Sequence, residues 1–276
     1  MKFTTIADAK RQTGLSYLGG VSTSAKIAHS QEYSHQHTYA IYLAPAKTSG
    51  YNTCSHSTPE CRMGCLNTSG RAGIEIFSGG DRIKKARIAK TRLFYEHPEF
   101  FMDWMFAEIR SKKAKAEREG FYFSVRLNAT SDIDWQNVKI NGRTIFEIFP
   151  DVQFYDYTKN PNKFDNIAPN YHLTLSYTGR NWKQCTDMLA KGFNVAMVFN
   201  VKHENLIPAM YKGYKVVNGD LTDYRVDDAK GIIVGLKWKR IADRKAEKQV
   251  LNSCFVVKPE IDNVQVSNVQ NLRVAV

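Results

Sequence analysis

Residues 98–134 read PEFFMDWMFAEIRSKKAKAEREGFYFSVRLNATSDID, and this stretch decides the fold class. Pro98 suits the first position of a helix, where its missing N–H costs nothing. Phe101, Trp104, Met105 and Ile109 then recur at three- and four-residue steps, which is the stripe of a helix that buries one face. The basic residues 110–118 continue its polar side, and Gly120 stops it. Residues 121–127 are aromatic and β-branched and read as a strand. The strand runs into the polar segment Asn128-Ala129-Thr130-Ser131-Asp132-Ile133-Asp134. Helix, glycine stop, strand and polar strand end make one unit of a parallel α/β protein.

The unit recurs in both directions along the chain. Upstream, residues 39–43 form a strand, a polar stretch covers 44–60, a helix begins near Pro59, and another spans 82–93. Downstream, the pattern predicts a short helix at 144–149, strands at 152–157 and 172–177, a helix at 181–191, and strands at 195–201, 214–217 and 232–237. Strands that alternate with helices demand parallel pairing with crossover connections. About seven such units point to a full or partial (β/α) TIM-like barrel with parallel strands, with a doubly wound open sheet as the alternative. No linker or repeat divides residues 1–276. They read as one barrel-like domain with 1–38 as an N-terminal extension and 241–276 as a C-terminal one.

In either fold, ligands sit at the carboxyl ends of the strands. The polar strand-end residues are therefore the candidates for a binding mouth: Arg126, Asn128, Asp132, Asp156, Lys159 and Asn218. Arg126 and Lys159 would receive an anionic group. Each residue also has a local use, because Asn and Asp cap helices and close turns.

The most informative motif follows the first strand. Cys54, Cys61 and Cys65 have the spacing C-x6-C-x3-C. A helix from Pro59 would put Cys61 and Cys65 one turn apart on one face, with Cys54 folding back from the loop. The five cysteines are odd in number, and three fall within twelve residues. In a reducing compartment such a group reads as metal binding or catalysis before disulfides. Thiolates favour zinc or an iron–sulfur cluster. Structural zinc wants four closed ligands, and His56 could supply the fourth. A merely buried thiol group is the remaining reading. Cys185 lies in a helical stretch and reads as structural. Cys254 precedes the apolar residues 255–257 and reads as core, or as a residue approaching the other thiols.

Three clustered cysteines after the first strand resemble, in location and number, the cluster ligands of radical S-adenosylmethionine enzymes. Those enzymes use C-x3-C-x2-C and leave one iron open for the cofactor. The spacing here differs. The chain itself resembles a phage-encoded family, the "gene product eighty-eight" proteins. The resemblance rests on residues 43–54 (LAPAKTSGYNTC), Cys61, Cys65, Leu66 and Ser69-Gly70-Arg71, on 14–20 (GLSYLGG), 126–128 with 131–133, 155–159 (YDYTK) and 231–237 (GIIVGLK). It covers most of residues 14–240. It implies a phage protein made in the host cytoplasm, a barrel-like fold and a cluster on the three cysteines, and it implies no established reaction.

Composition sets outer limits. Hydrophobic residues make up 43% and charged residues 24%, as in a globular protein with a sizeable core. No stretch approaches the ~20 apolar residues of a membrane span, and the first residues lack a signal peptide's apolar core. The expected location is the cytoplasm. A net charge of +12 allows nucleic-acid affinity. The basic runs at 84–92, 112–118 and 237–248 also read as solvated helix faces. The functional expectation is a phage [4Fe–4S] protein with a possible redox or radical activity on a small molecule, S-adenosylmethionine included, at the cluster. The alternative is a non-enzymatic iron–sulfur or zinc protein that binds nucleic acid or a host factor.

Overall fold

The structure is a computed structural model and describes residues 1–21 and 23–259. Residues 260–276, just under half of the expected C-terminal extension, lie outside the described residues. The chain opens with α1 (Ile6–Thr13), β1 (Gly19–Val21), α2 (Ala25–Tyr33) and β2 (Gln36–Ile41). A loop leads to α3 (Pro59–Met63), α4 (Gly70–Phe77), α5 (Arg82–Glu96) and α6 (Pro98–Arg118). Next come β3 (Tyr122–Arg126), a small hairpin of β4 (Lys139–Ile140) and β5 (Arg143–Thr144), α7 (Ile145–Ile148) and β6 (Gln153–Thr158). β7 (Tyr171–Ser176), α8 (Trp182–Ala190), β8 (Asn194–Phe199), β9 (Met210–Tyr211) and β10 (Tyr214–Asn218) follow. β11 (Ile233–Lys237), α9 (Arg244–Leu251) and β12 (Val256–Val257) end the described chain.

The stretch 98–134 folds as its residues dictate. Pro98 opens α6, and Phe101, Trp104, Met105 and Ile109 are fully buried along it. Gly120 takes a left-handed φ of 76°, which an L side chain resists, and turns the chain into β3. Strands β2, β3, β6, β7, β8, β11 and β10 are all mutually parallel, in that spatial order. β1 and β9 pair antiparallel at the two margins.

Side chains from α5, α6, α7 and α8 enter a single apolar core with Val125, Phe154, Leu173, Val195 and Ile233 of the strands. The crossover helices between β2 and β8 therefore lie on one face of the sheet, whereas α9, between β11 and β12, packs in a second cluster with Val198, which alternates to the other face. A doubly wound sheet would divide the helices between β2 and β8 between two faces. Their one-sided placement and the nearly sequential strands are what a (β/α) barrel has. The expectation of a full barrel is nevertheless corrected: pairing runs along one open path from β1 to β9, and no pair among the described strands joins its ends.

The sheet is curled. β10 stands five strand spacings from β3, about 24 Å in a flat sheet. Yet Asp223, reached through turns just after β10, hydrogen-bonds Arg126 on β3 at 2.7 Å. Residues 219–228 and α2 thus cross the inner face, opposite the helices α5 to α8. Residues 1–38 are no appendage, because β1 and the start of β2 belong to the sheet and Ile27 of α2 packs on Ala40.

Candidate functional site

The cysteine segment is built onto the carboxyl edge of the sheet. Thr53 Oγ1 donates to the carbonyl of Ala44 (2.7 Å), and Asp132 N–H donates to the carbonyl of Thr53 (2.8 Å). These bonds tie the loop after β2 to the loop after β3. Thr58 caps α3 by accepting from Cys61 N–H, and Pro59 occupies the first turn, as its sequence predicts. Gly64 ends α3 under the indole of Trp238, where a Cβ would come within 2.9 Å of the ring. Cys61 and Met63 pack with Trp238, Ile241, Val250, Phe255 and Val256 in a second apolar cluster. Cys65 caps the single turn Leu66–Thr68.

The three thiols share one electrostatic environment. Burial pushes the Cys65 thiol up to about 11, and neighbouring Cys61 and Cys54 push it the same way. Cys54 is raised by burial, with Asp132 and Cys61 adding to it, against a backbone N–H bond from Ala46 (3.3 Å). Lys159 lies among them. Burial disfavours its ammonium, but Cys61, Asp132 and Cys54 outweigh burial and raise its pKa, Cys61 foremost. Arg87 of α5 also stands within electrostatic reach of Cys65; its guanidinium donates to Asn67 Oδ1. Two cations thus face three sulfurs. Among the described residues, no group of three or more His, Cys, Asp or Glu is arranged to hold a metal ion. His56 is exposed and hydrogen-bonded to Ser55, so it does not complete a closed zinc site.

Of the six strand-end candidates, Lys159 alone reaches the cysteines directly. Asp132 adjoins Cys54 but is committed: Thr158 Oγ1, Lys159 N–H and Lys163 Nζ all donate to it, the last at 2.6 Å. Asn128 is spent on its own loop, its Oδ1 accepting from Ser131, Ile133 N–H and Trp135 Nε1. Asp156 faces the helix side, accepts from Asn128 N–H and Tyr171 OH, and is 1% exposed. Asn218 closes a turn with Asp220 N–H near Glu204. Arg126 lies on the inner face, ion-paired with Asp223. The expected ring of polar residues around a mouth is thereby corrected to Lys159 beside the thiols, with Asn128, Asp132, Asp156 and Asn218 holding loops.

Other expectations also change. Cys185 is buried in the helix-side core, as read, but Cys254 is exposed and belongs to neither core nor thiol group. In the basic run 84–92, Lys90 is buried and donates to the Leu18 carbonyl, and Arg87 turns toward Cys65. A run of like charges hides such inward members, because they announce themselves by helix phase against a partner that the sequence does not name.

The fold and site together define a mostly parallel α/β protein with a thiol trio at the carboxyl edge of its curled sheet. The chain belongs to the Gene product 88 family, whose sequence profile it matches over residues 16–251. No curated protein and no solved structure matches it. Among the described residues, no helix is long and apolar enough to cross a membrane.

Proposed function

We propose that this chain is an iron–sulfur protein in which Cys54, Cys61 and Cys65 hold a cluster, [4Fe–4S] in type, at the edge of an opened (β/α) barrel. The observation that carries this reading is that Cys54, Cys61 and Cys65 all lie within electrostatic reach of the Lys159 ammonium, with Cys54 and Cys61 also within reach of Cys65. The donor set is soft, and Lys159 and Arg87 would offset the charge of the thiolates, of which burial opposes those of Cys54 and Cys65. A single zinc ion would draw the sulfurs to roughly 4 Å of one another, since Zn–S bonds are about 2.3 Å. A cluster binds each thiol to a different iron and makes no such demand. Three cysteine ligands leave one iron for an exchangeable ligand, which suits redox or radical chemistry on a small molecule. S-adenosylmethionine is one molecule able to chelate it.

Anaerobic purification with iron and sulfide analysis and an absorption spectrum tests the reading. The expected protein is brown, with iron and acid-labile sulfide in equal amounts. Cys61→Ala should lose both, while Cys185→Ala should keep them. A colourless protein with stoichiometric zinc, or bleaching by Cys185→Ala, overturns the assignment.

A further inference from the structure

The inner face of the curled sheet carries polar groups that a cluster at the edge does not use. Register places Tyr155 opposite His172 and Tyr157 opposite Thr174, and Arg126 of β3 lies on the same side, its guanidinium 4.9 Å from the centre of the Tyr157 ring. Arg225, from the segment that covers this face, is 1% exposed and within electrostatic reach of Tyr157 and His172.

Five of these side chains hold a buried polar atom with no hydrogen-bond partner: Arg126 Nε, Tyr157 Oη, His172 Nε2, Thr174 Oγ1 and Arg225 Nε. Native folds leave few such atoms, and a concentration of them on one surface calls for a cause. Most groups around them are bonded, although Asp228 Oδ2 also lacks a hydrogen bond. Arg126 Nη1 donates to both oxygens of Asp223, Tyr155 OH donates to Asp223 (3.1 Å), and Arg225 Nη2 donates to the Thr222 carbonyl (2.6 Å). Asp228 Oδ2 is paired with Arg225 at 3.1 Å. The unmet atoms are therefore held in place. Two are guanidinium N–H groups, which only donate, and two are hydroxyls, which donate readily. Arg126 and Arg225 already pair with Asp223 and Asp228, so what the set lacks is acceptors, of which an oxyanion supplies several at a time.

We propose that the curled sheet binds a small oxyanion-bearing ligand, a carboxylate or a phosphate, between Arg126 and Arg225, with Tyr157, Thr174 and His172 completing its shell. Tyr155 and Tyr157 alternate onto this same face along β6, and Lys159 follows immediately after the strand's end. The remainder of the ligand would point up the strand toward Lys159 and Cys61. The site stands whether or not the thiols hold iron.

The test titrates the full-length chain with inorganic phosphate and, separately, with succinate, at constant ionic strength and with chloride as control. Calorimetry gives affinity, and thermal unfolding gives stability. One of the two anions should raise the unfolding midpoint saturably, and which one does so names the source of the oxyanion. Tyr157→Phe and Thr174→Val each delete a hydroxyl that has no hydrogen-bond partner in the protein. Both should keep the stability of the ligand-free chain and weaken binding about tenfold. No saturable effect of either anion overturns the proposal, as does equal affinity in variants and wild type, which marks an adventitious ion only. Loss of ligand-free stability in both variants also overturns it, because the hydroxyls would then be bonded to fixed water. Iron content enters none of these readouts, so failure here and failure of the cluster reading remain distinct.

Discussion

Lys159 and Asp156 stand three positions apart on one strand and its end, and they illustrate what a single residue's surroundings decide. Lys159 faces three sulfurs. In the iron-loaded protein its charge would favour the reduced, more negative cluster. Lys159→Met should lower the midpoint potential by on the order of tens of mV. Redox titration followed by electron paramagnetic resonance checks this, and an unchanged potential would detach Lys159 from the metal centre. Asp156 faces the opposite side, where burial raises its pKa to about 7 despite the pull of Arg126 and bonds from Asn128 N–H and Tyr171. Its unfolded value is about 3.9. A carboxyl raised in the folded state stabilises fully below the unfolded pKa and loses that contribution as pH rises through the folded one. The wild type should therefore lose stability, on the order of a few kcal/mol, between about pH 4 and 7. Asp156→Asn should remove that decline, since the amide oxygen still accepts from Asn128 N–H. Urea unfolding at pH 5 and pH 8 measures it, and equal slopes in both proteins would contradict the assignment.

Element packing turns on α6. Its apolar stripe is legible from the spacing of Phe101, Trp104, Met105 and Ile109, but Glu108 interrupts the stripe's neighbourhood with a buried charge. Glu108 accepts from Leu18 N–H, Gly19 N–H (3.0 Å) and Tyr39 OH (2.6 Å), and so joins α6 to β1 and β2. Glu108→Ala would strand three buried donors. The expected cost is about 3–5 kcal/mol, read as a fall in denaturation midpoint, with Glu108→Gln costing less. A change under about 1 kcal/mol in the alanine variant would show that water reaches these donors. Turns differ in how plainly they can be read. Asn141-Gly142, between β4 and β5, is the strongest of short hairpin signals, and both residues take positive φ. Lys212-Gly213, between β9 and β10, makes the same turn with a lysine at φ 48°, where lysine carries no such signal.

Charge belongs to the whole molecule. The excess of 39 basic over 27 acidic residues is partly used inside, by Lys90, Arg126, Lys163 and Arg225. A cleft of about 750 Å³ on the margin of the sheet collects Lys10, Arg71, Lys112 and Lys115 beside the exposed Tyr17. If the net charge serves nucleic acid, this cleft is where phosphates would meet four cations. Binding to duplex DNA should then be sequence-independent and fall about a hundredfold between 50 and 200 mM salt, from the release of roughly four counterions. Lys112→Glu with Lys115→Glu should flatten that dependence. Binding absent at low salt would leave the charge as a property of solvated surface.

The local rules alone determined much of this protein: the seven parallel strands of the central sheet, the helix starts at Pro59 and Pro98, the stop at Gly120, the α/β class, and the spacing that brings Cys54, Cys61 and Cys65 onto one short segment. Each depends on neighbours within a few residues, whose periodicity and caps can be read directly. The tertiary structure decided which strand-end residues point at the thiols. Side chains alternate along a strand, so Asp156 goes to the helix side while Tyr155 and Tyr157 go inward, and Lys159 follows immediately after the strand's end. It also decided that the sheet stays open, that β10 lies outside β11, and that Asp223 and Arg225 return to β3 and β6. These outcomes follow from long-range packing and from partners for buried charge, whose free energies no local pattern records.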